Sequence, residues 1–222
     1  SPVERGVSVM FYKREDKFAP AGEGGVNGSK LRACIYILNR YARKHSGVIS
    51  GTSILSPQHA MQAVVARHYG LKSMHIVGAC KPETAMRRES VKIAVAAGAD
   101  FEFISVAYNT AIQSHVRGMH KFKRFRDYYR LEYAISLDHL THSPAEIAEF
   151  HAICAAQTAN LPLEAKTLLV PAGSCVTATG ILYGVAQREW PELSQIHLIG
   201  IGHNRVAWLT ERLNVLGVDL VP

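Results

Sequence analysis

The chain has no apolar run near the ~18 residues that a membrane span requires; stretches such as TLLV at 167–170 stop far short. The opening residues SPVERGVSVM lack the charged-then-apolar pattern of a secretion signal, and no initiator methionine precedes them, so Ser1 reads as an engineered or processed start. Cysteine is scarce. Cys34, Cys80, Cys154 and Cys175 stand far apart with no CxxC, which excludes a disulfide framework or a thiolate metal cluster and points to a reducing, cytoplasmic setting. GxxxxGK[ST] and HExxH are absent, so neither a nucleoside-triphosphate loop nor a zinc-protease helix is present. Fixed-period repeats and low-complexity tracts are missing as well. What remains is a 222-residue chain, 48% hydrophobic and 19% charged, with 25 Lys+Arg against 18 Asp+Glu. A chain of this length buries roughly 70% of its unfolded surface and holds a core without staples. The net charge of +7 permits an anionic partner without requiring one.

Strand and helix patterns alternate along the chain. VSVMFYK (7–13) reads as a strand and 14–29 as a charged, then glycine-rich loop. Apolar residues at Leu31, Cys34, Ile35, Leu38 and Tyr41 predict a helix from Lys30 to about Arg43. GVIS (47–50) is a short strand, and Ser56-Pro57 opens a helix that closes at Gly70. SMHIVG (73–78) is a strand, 82–98 a helix and FEFISV (101–106) a strand, followed by a basic, aromatic middle over 107–142. Ser143-Pro144-Ala145-Glu146 forms a capping box that opens a helix to about Ala159. Strands at 166–171 and 196–202 alternate with helices at 173–189 and 203–213. The pattern predicts an α/β, three-layer fold with mostly parallel sheets.

Ligands of such folds gather where strands hand over to helices, and three junctions stand out. GEGGVNGSKLR (22–32) delivers Lys30 to a helix start, where the dipole favours the free amine that a Schiff base with a carbonyl cofactor requires. Taken alone, Lys30 reads equally as a solvated helix residue. PAGSCVTATG (171–180) offers Gly173, Ser174, Thr177 and free amides to a phosphate, or is an ordinary tight turn. SILSPQHAMQ (53–62) sets Ser56, Gln58 and His59 in a first helical turn suited to a carboxylate, although Ser56 alone is a plain N-cap and His59 alone a packed histidine.

FYKREDKFAPAGEGGVNGSKLR resembles the KRED…GGNKxR opening of the fold-type II pyridoxal-phosphate enzymes, most closely the D-cysteine desulfhydrase and aminocyclopropane-carboxylate deaminase branch. The resemblance implies that Lys30 carries pyridoxal 5'-phosphate as an internal aldimine. SPQHAMQ is similar to the family's SxNHxxQ loop, which implies Gln58 beside the cofactor's 3-oxygen and Ser56 and His59 toward the substrate carboxylate. GSCVTATG falls in frame with the GSGGTAAG phosphate loop, which maps phosphate contacts onto Gly173, Ser174, Cys175, Val176 and Thr177. It also implies one unit over 1–222, with a smaller lobe at 24–139 and a larger lobe from 1–23 plus 140–222, and a homodimer. The chain departs from the pattern by two extra residues before Lys30, by Pro57-Gln58 for Gly-Asn, and by Cys175-Val176 for two glycines. A β-branched residue disfavours positive φ, so the phosphate loop should follow a different backbone path. The family's usual C-terminal segment, which supplies the ring-nitrogen partner, has no counterpart before Pro222; Thr210 and Glu211 are the last polar candidates for that partner.

The function expected from these motifs is a lyase- or deaminase-like enzyme acting at the α-carbon of an amino-acid-type substrate by elimination, deamination or decarboxylation, with Lys30 and Ser56 as proton carriers. An alternative substrate is an amino acid attached to a nucleotide in DNA, as in viral base hypermodification. A third reading is a catalytically inactive binding protein. In RGMHKFKRFRDYYR (117–130), Arg117, Lys121 and Arg124 share helical spacing; the segment is either a solvated face or a nucleic-acid patch, in a region that lines the substrate mouth of the resembled family. No metal is expected, since Asp138, His139 and His142 lack a matching ligand set, and no membrane partner is expected.

Overall fold

The computed structural model describes residues 10–22, 25–202 and 204–218. Four strands, β1 (Gly47–Ser53), β2 (Lys72–Gly78), β3 (Asp100–Ile104) and β4 (Tyr128–Arg130), form one parallel sheet in the order β3-β2-β1-β4. A second parallel sheet pairs β5 (Thr167–Ala172) with β6 (Gln195–Gly200). The helices are α1 (Lys30–Ile37, continued by a wider π turn at Leu38–Ala42), α2 (Gln58–His68), α3 (Pro82–Ala85), α4 (Glu89–Ala96), α5 (Asn109–Met119), α6 (Pro144–Ala155), α7 (Val176–Ala186) and α8 (Val206–Val215). Among the described residues, no helix is long and apolar enough to cross a membrane.

Burial on both faces explains the strand sequences. The first six residues of β1, GVISGT, are all buried, as a parallel strand covered by helices on each side requires. Glycines admit α5 to one face: a Cβ at Gly51 would lie 2.6 Å from methyls of Ile112 and Val116, and one at Gly78 would lie 2.3 Å from the Val106 carbonyl oxygen. α2 packs on the opposite face, and its residues from Gln58 to Ala63 are all buried. A core containing Leu31, Cys34, Met61, Ile147, Phe150 and Val176 then joins α1 and α2 to α6 and α7, so one apolar cluster connects the helices of both sheets.

Three expectations are revised. Within the predicted strand 7–13, Met10–Lys13 is irregular, and 7–9 lie outside the described residues. The predicted helix 82–98 is two helices. Ala85 and Val91 would point about 120° apart on one continuous helix; Arg88 is extended (ψ 130°) and restarts the helix, and both side chains are fully buried. In the basic middle α5 ends at Met119, so Lys121 and Arg124 lie in turns beyond the helix and share no helical face with Arg117. Those turns are pinned at the amino end of β1, where the Ser46 amide donates to Asp127 Oδ2 at 3.0 Å. They therefore sit at the pole opposite the Ser53–Gln58 turn and do not line a mouth beside it. The Ser143 capping box forms, with Glu146 N donating to Ser143 Oγ at 3.3 Å and Ser143 N to Glu146 Oε2 at 2.9 Å.

α7 packs closely on α6, and a Cβ at Gly180 would fall 2.4 Å from Cys154 Cβ and 3.0 Å from its carbonyl carbon. Gly180→Ala should therefore destabilise the protein by about 1–3 kcal/mol through overpacking. The expected readout is a lower urea midpoint at an unchanged m-value; an unchanged midpoint would refute this packing.

Candidate active site

Lys30 opens α1 behind a loop that returns on itself, with Gly28 N donating to Phe18 O at 3.0 Å. Gly22 (φ +96°) and Gly28 (φ +102°) supply turns that a side chain would strain. The charged opening motif acts as a clamp on the same helix. Arg32 pairs with Glu15 and lies 3.5 Å over the Phe18 ring, while Lys13 reaches Glu15 at 2.8 Å. Glu15, Phe18 and Arg32 thus hold the first turn of α1, a role their place in the motif did not reveal. Lys30 itself is half-buried, and that burial pushes its amine pKa below the usual lysine value, favouring the neutral nucleophile.

Two contacts flank this lysine. Ser29 Oγ and Thr177 Oγ1 share a hydrogen bond at 3.4 Å, tying the start of α1 to the start of α7. On the other side, a Cβ at Gly28 would lie 3.8 Å from Met61 Cε in the first turns of α2. The three junctions therefore converge on one place.

At the α7 junction the left-handed conformation falls on Cys175 (φ 67°), and Val176 takes ordinary helical backbone as the first residue of α7. The loop thus places positive φ on the one non-branched residue of the pair. Its N-cap makes no side-chain hydrogen bond, and the amides of 174–178 donate to no protein acceptor among the described residues. Gly173 faces open space. Cys175 is buried, and burial raises its thiol pKa, so it is a packed residue filling a glycine position.

At the α2 junction Ser56 Oγ accepts the Gln58 amide at 3.2 Å. Gln58 is buried; its Nε2 donates to Glu132 O at 3.4 Å, while its Oε1 has no partner. A buried, unpaired acceptor beside free helix amides fits a polar ligand that completes it. His59 points elsewhere. It is fully buried, its Nε2 bonds Ser53 O at 3.0 Å and its Nδ1 meets His75 Nδ1 at 3.4 Å, so neither ring nitrogen faces a substrate.

His59 belongs instead to a directed chain of polar groups. Gln62 Nε2 also reaches the carbonyls of Val48 and Met74, so it donates to Ser73 Oγ at 3.1 Å. Ser73 then donates to His75 Nε2 at 3.0 Å, His75 Nδ1–H to His59 Nδ1, and His59 Nε2–H to Ser53 O. A carbonyl can only accept and an amide NH₂ can only donate, so both tautomers are determined. An added proton on His59 would set two donors face to face.

Thr210 is half-buried on α8, and Glu211 is exposed and paired with His139 at 3.1 Å. Among the described residues no cluster of three or more His, Cys, Asp or Glu is arranged to hold a metal. A separate hollow of about 780 Å³ opens beside α5, lined by Ile104, Val106, Ala111 and Phe122.

Burial holds the His59 pKa at about 4, against 6.5 for the free side chain. The unfolded chain therefore takes up this proton first, and the stabilisation is complete above pH ~6.5 and falls away toward ~4. His59→Gln should flatten the slope of unfolding free energy in this window by up to about 1.4 kcal/mol per pH unit. A smaller slope should persist from His151, held at about 3 by burial, and from buried His75. Urea titrations across the window test this, and an unchanged slope would refute it.

No family model matches the chain. In sequence it is 40% identical over 215 residues to the O-seryl-dTMP PLP-dependent decarboxylase of Salmonella phage ViI, an alignment covering 94% of this chain and 50% of that protein. The chain thus spans half the length of that relative. In structure it superimposes on an ACC deaminase homologue with TM-score 0.65 at 16% identity, covering 89% of this chain and 60% of the other. Diaminopropionate ammonia lyase of Escherichia coli in its apo form gives TM-score 0.54 at 13% identity (83% and 53% covered). Threonine deaminase isoform 2 of Solanum lycopersicum gives 0.55 at 12% identity (78% and 44% covered).

Proposed function

We propose that this chain, which matches the fold-type II pyridoxal-phosphate enzyme fold over part of that fold's length, is a pyridoxal-phosphate-dependent decarboxylase of an amino acid carried on a nucleotide. The observation that carries the reading is the placement of the Lys30 turn between the first turns of α2 and α7, through Gly28–Met61 and Ser29–Thr177. The relative sharing 40% identity supplies the substrate class, a serine joined to a thymidine nucleotide.

The residues fit the cofactor. Gly173, Ser174, Cys175, Val176 and Thr177 would hold its phosphate with free amides and hydroxyls at the positive end of α7. Gln58, with one side-chain atom buried and unpaired, would meet the ring's 3-oxygen. When bound, pyridoxal phosphate supplies an electron sink for the pair left on the α-carbon once a bond there breaks.

The chain's own groups do the rest. The Lys30 amine, whose pKa burial lowers from the usual lysine value, would be the nucleophile and then the base–acid of the reaction. In decarboxylation the Cα–carboxylate bond breaks, CO₂ leaves, and a proton from Lys30 Nζ or Ser56 Oγ is delivered to Cα. Ser56 suits this second role because its oxygen accepts the Gln58 amide while its hydroxyl hydrogen has no acceptor among the described residues. The carboxylate is set at the start of α2 by Ser56 and the helix end, and His59 acts from behind by fixing Ser53, three residues before Ser56.

The purified protein incubated with pyridoxal phosphate should show the visible band of lysine-bound cofactor. Borohydride should then fix the cofactor's mass on the peptide containing Lys30. Lys30→Ala should lose both signals and lower release of CO₂ from a seryl-thymidine nucleotide by at least about 10²-fold. A band that survives Lys30→Ala would remove the lysine from this role.

A further inference from the structure

The parallel register gathers charge from three distant stretches at one pole. Gly47 is opposite both Lys72 and Tyr128, so the loops entering β1, β2 and β4 lie side by side. The first segment, 38–46 from the end of α1 into β1, carries Arg40, Arg43 and Lys44; the second, 66–73 from the end of α2 into β2, carries Arg67 and Lys72. The third, 117–127, carries Arg117, Lys121, Lys123, Arg124 and Arg126. All ten side chains are exposed. The same pole, including the 96–100 loop entering β3, holds two acids, Asp100 and Asp127. Asp100 pairs with Arg124 at 3.6 Å, and Asp127 is committed to the Ser46 amide at 3.0 Å and to His45 at 3.6 Å. Nine of the ten cations make no ion pair among the described residues.

These loops sum to +8 within a chain of net +7, so the remaining fifteen Lys+Arg and sixteen Asp+Glu nearly cancel. The excess positive charge of the molecule is therefore one surface, and it lies about 20 Å, the length of the seven-residue β1, from the Ser53–Gln58 turn.

We infer that this pole is a docking surface for the phosphate backbone of duplex DNA, separate from the catalytic cleft. An array of exposed, uncompensated Lys and Arg across adjacent strand ends suits a polyanion carrying one charge per ~1.7 Å. An anionic membrane is disfavoured, because Phe122 is the one large apolar side chain strongly exposed in these loops and no amphipathic helix lies there to insert. Such contacts position DNA without reading bases. Duplex DNA is stiff over ~150 bp, so the pole tethers the polymer and raises the local concentration of modified nucleotides, rather than delivering the bound segment into the cleft of the same molecule. The choice of DNA rests on the nucleotide reading above; the charge geometry does not.

The test is fluorescence anisotropy of a labelled duplex oligonucleotide with the whole protein over a salt series. For four or five phosphate contacts, affinity should fall about 10²–10³-fold from ~50 to ~200 mM salt. Lys44→Ala/Lys72→Ala/Lys121→Ala should reduce the log–log salt slope by about 3, and the triple Lys→Arg variant should restore it. The Ala variant should keep the visible cofactor band and its turnover of the free nucleotide, while Lys30→Ala should keep wild-type DNA affinity. DNA binding absent, insensitive to salt, or unchanged in the Ala variant would overturn the inference while leaving the proposed reaction standing. Binding to phosphatidylserine vesicles in preference to the duplex would overturn it in favour of a membrane. Loss of the cofactor band in wild-type protein with DNA binding intact would leave the surface standing and remove the proposed reaction.

Discussion

The hydroxyl pair between Ser29 and Thr177 joins two parts of the chain 148 positions apart, and the proposed site is built on the two junctions it connects. Lys30 is one residue from this bond, which links the start of α1 to the start of α7. At 3.4 Å between neutral groups the bond is itself worth only about 1 kcal/mol. Its geometry is maintained by what lies beneath: Leu31 and Val176 are in the same buried cluster, and Gly180 lets α7 approach α6 so closely that a methyl would not fit. A weak polar contact resting on close-packed apolar surfaces is more exact in position than a strong contact at the end of a flexible loop, because interiors at crystal-like density resist displacement.

Support behind the α2 turn is polar rather than apolar. Five groups, from Gln62 to Ser53, transmit one direction of hydrogen bonding through two histidines that Phe101 covers with its ring. Buried polar groups are costly unless satisfied, and here each donor meets an acceptor because the terminal groups allow a single polarity. The chain ends on the backbone of Ser53, at the carboxyl end of β1, so its order determines where the turn to Ser56 and Gln58 begins. Burial and pairing together keep both rings neutral, which makes a fixed tautomer compatible with an active-site turn at neutral pH.

Much of this was legible in the residues. Alternating strand and helix patterns gave the parallel architecture, Ser143 and Glu146 announced their capping box, and Gly70 and Gly98 end their helices with positive φ as helix-closing glycines do. The convergence of three junctions was anticipated by a motif resemblance, not by spacing. Other features depend on tertiary register. β4 is only three residues long, too short for a period to appear, and α5 sits in a segment whose aromatic and basic residues mask its apolar face. His59 and His75 are ordinary histidines until the strand they share a layer with brings them together. The left-handed residue at the phosphate loop was expected to be a difficulty at Val176; the backbone resolves it one position earlier, on Cys175, where no second branch at Cβ opposes it.

The two poles of the four-stranded sheet also differ for a reason that separates stability from recognition. Helices α1, α2 and α5 all end at the amino pole, and cations near helix C-termini are favoured by the macrodipole wherever they occur. That explanation reaches Arg40, Arg67 and Arg117, which stand in last turns. It extends to Arg43, which caps the Leu38–Ala42 turn, but not to the other six cations, which lie beyond the helix caps, because the dipole's influence fades within a turn. Nor does mutual stability explain them, since like charges in neighbouring segments repel one another and, among the described residues, only Arg124 has an acidic partner. A surface that opposes folding slightly yet concentrates the net charge is what the proposed polyanion docking would require. The carboxyl pole carries the reverse arrangement: free amides, small side chains and a lysine whose pKa burial lowers. A cationic field there would compete with the amides for the phosphate that the proposed site would hold.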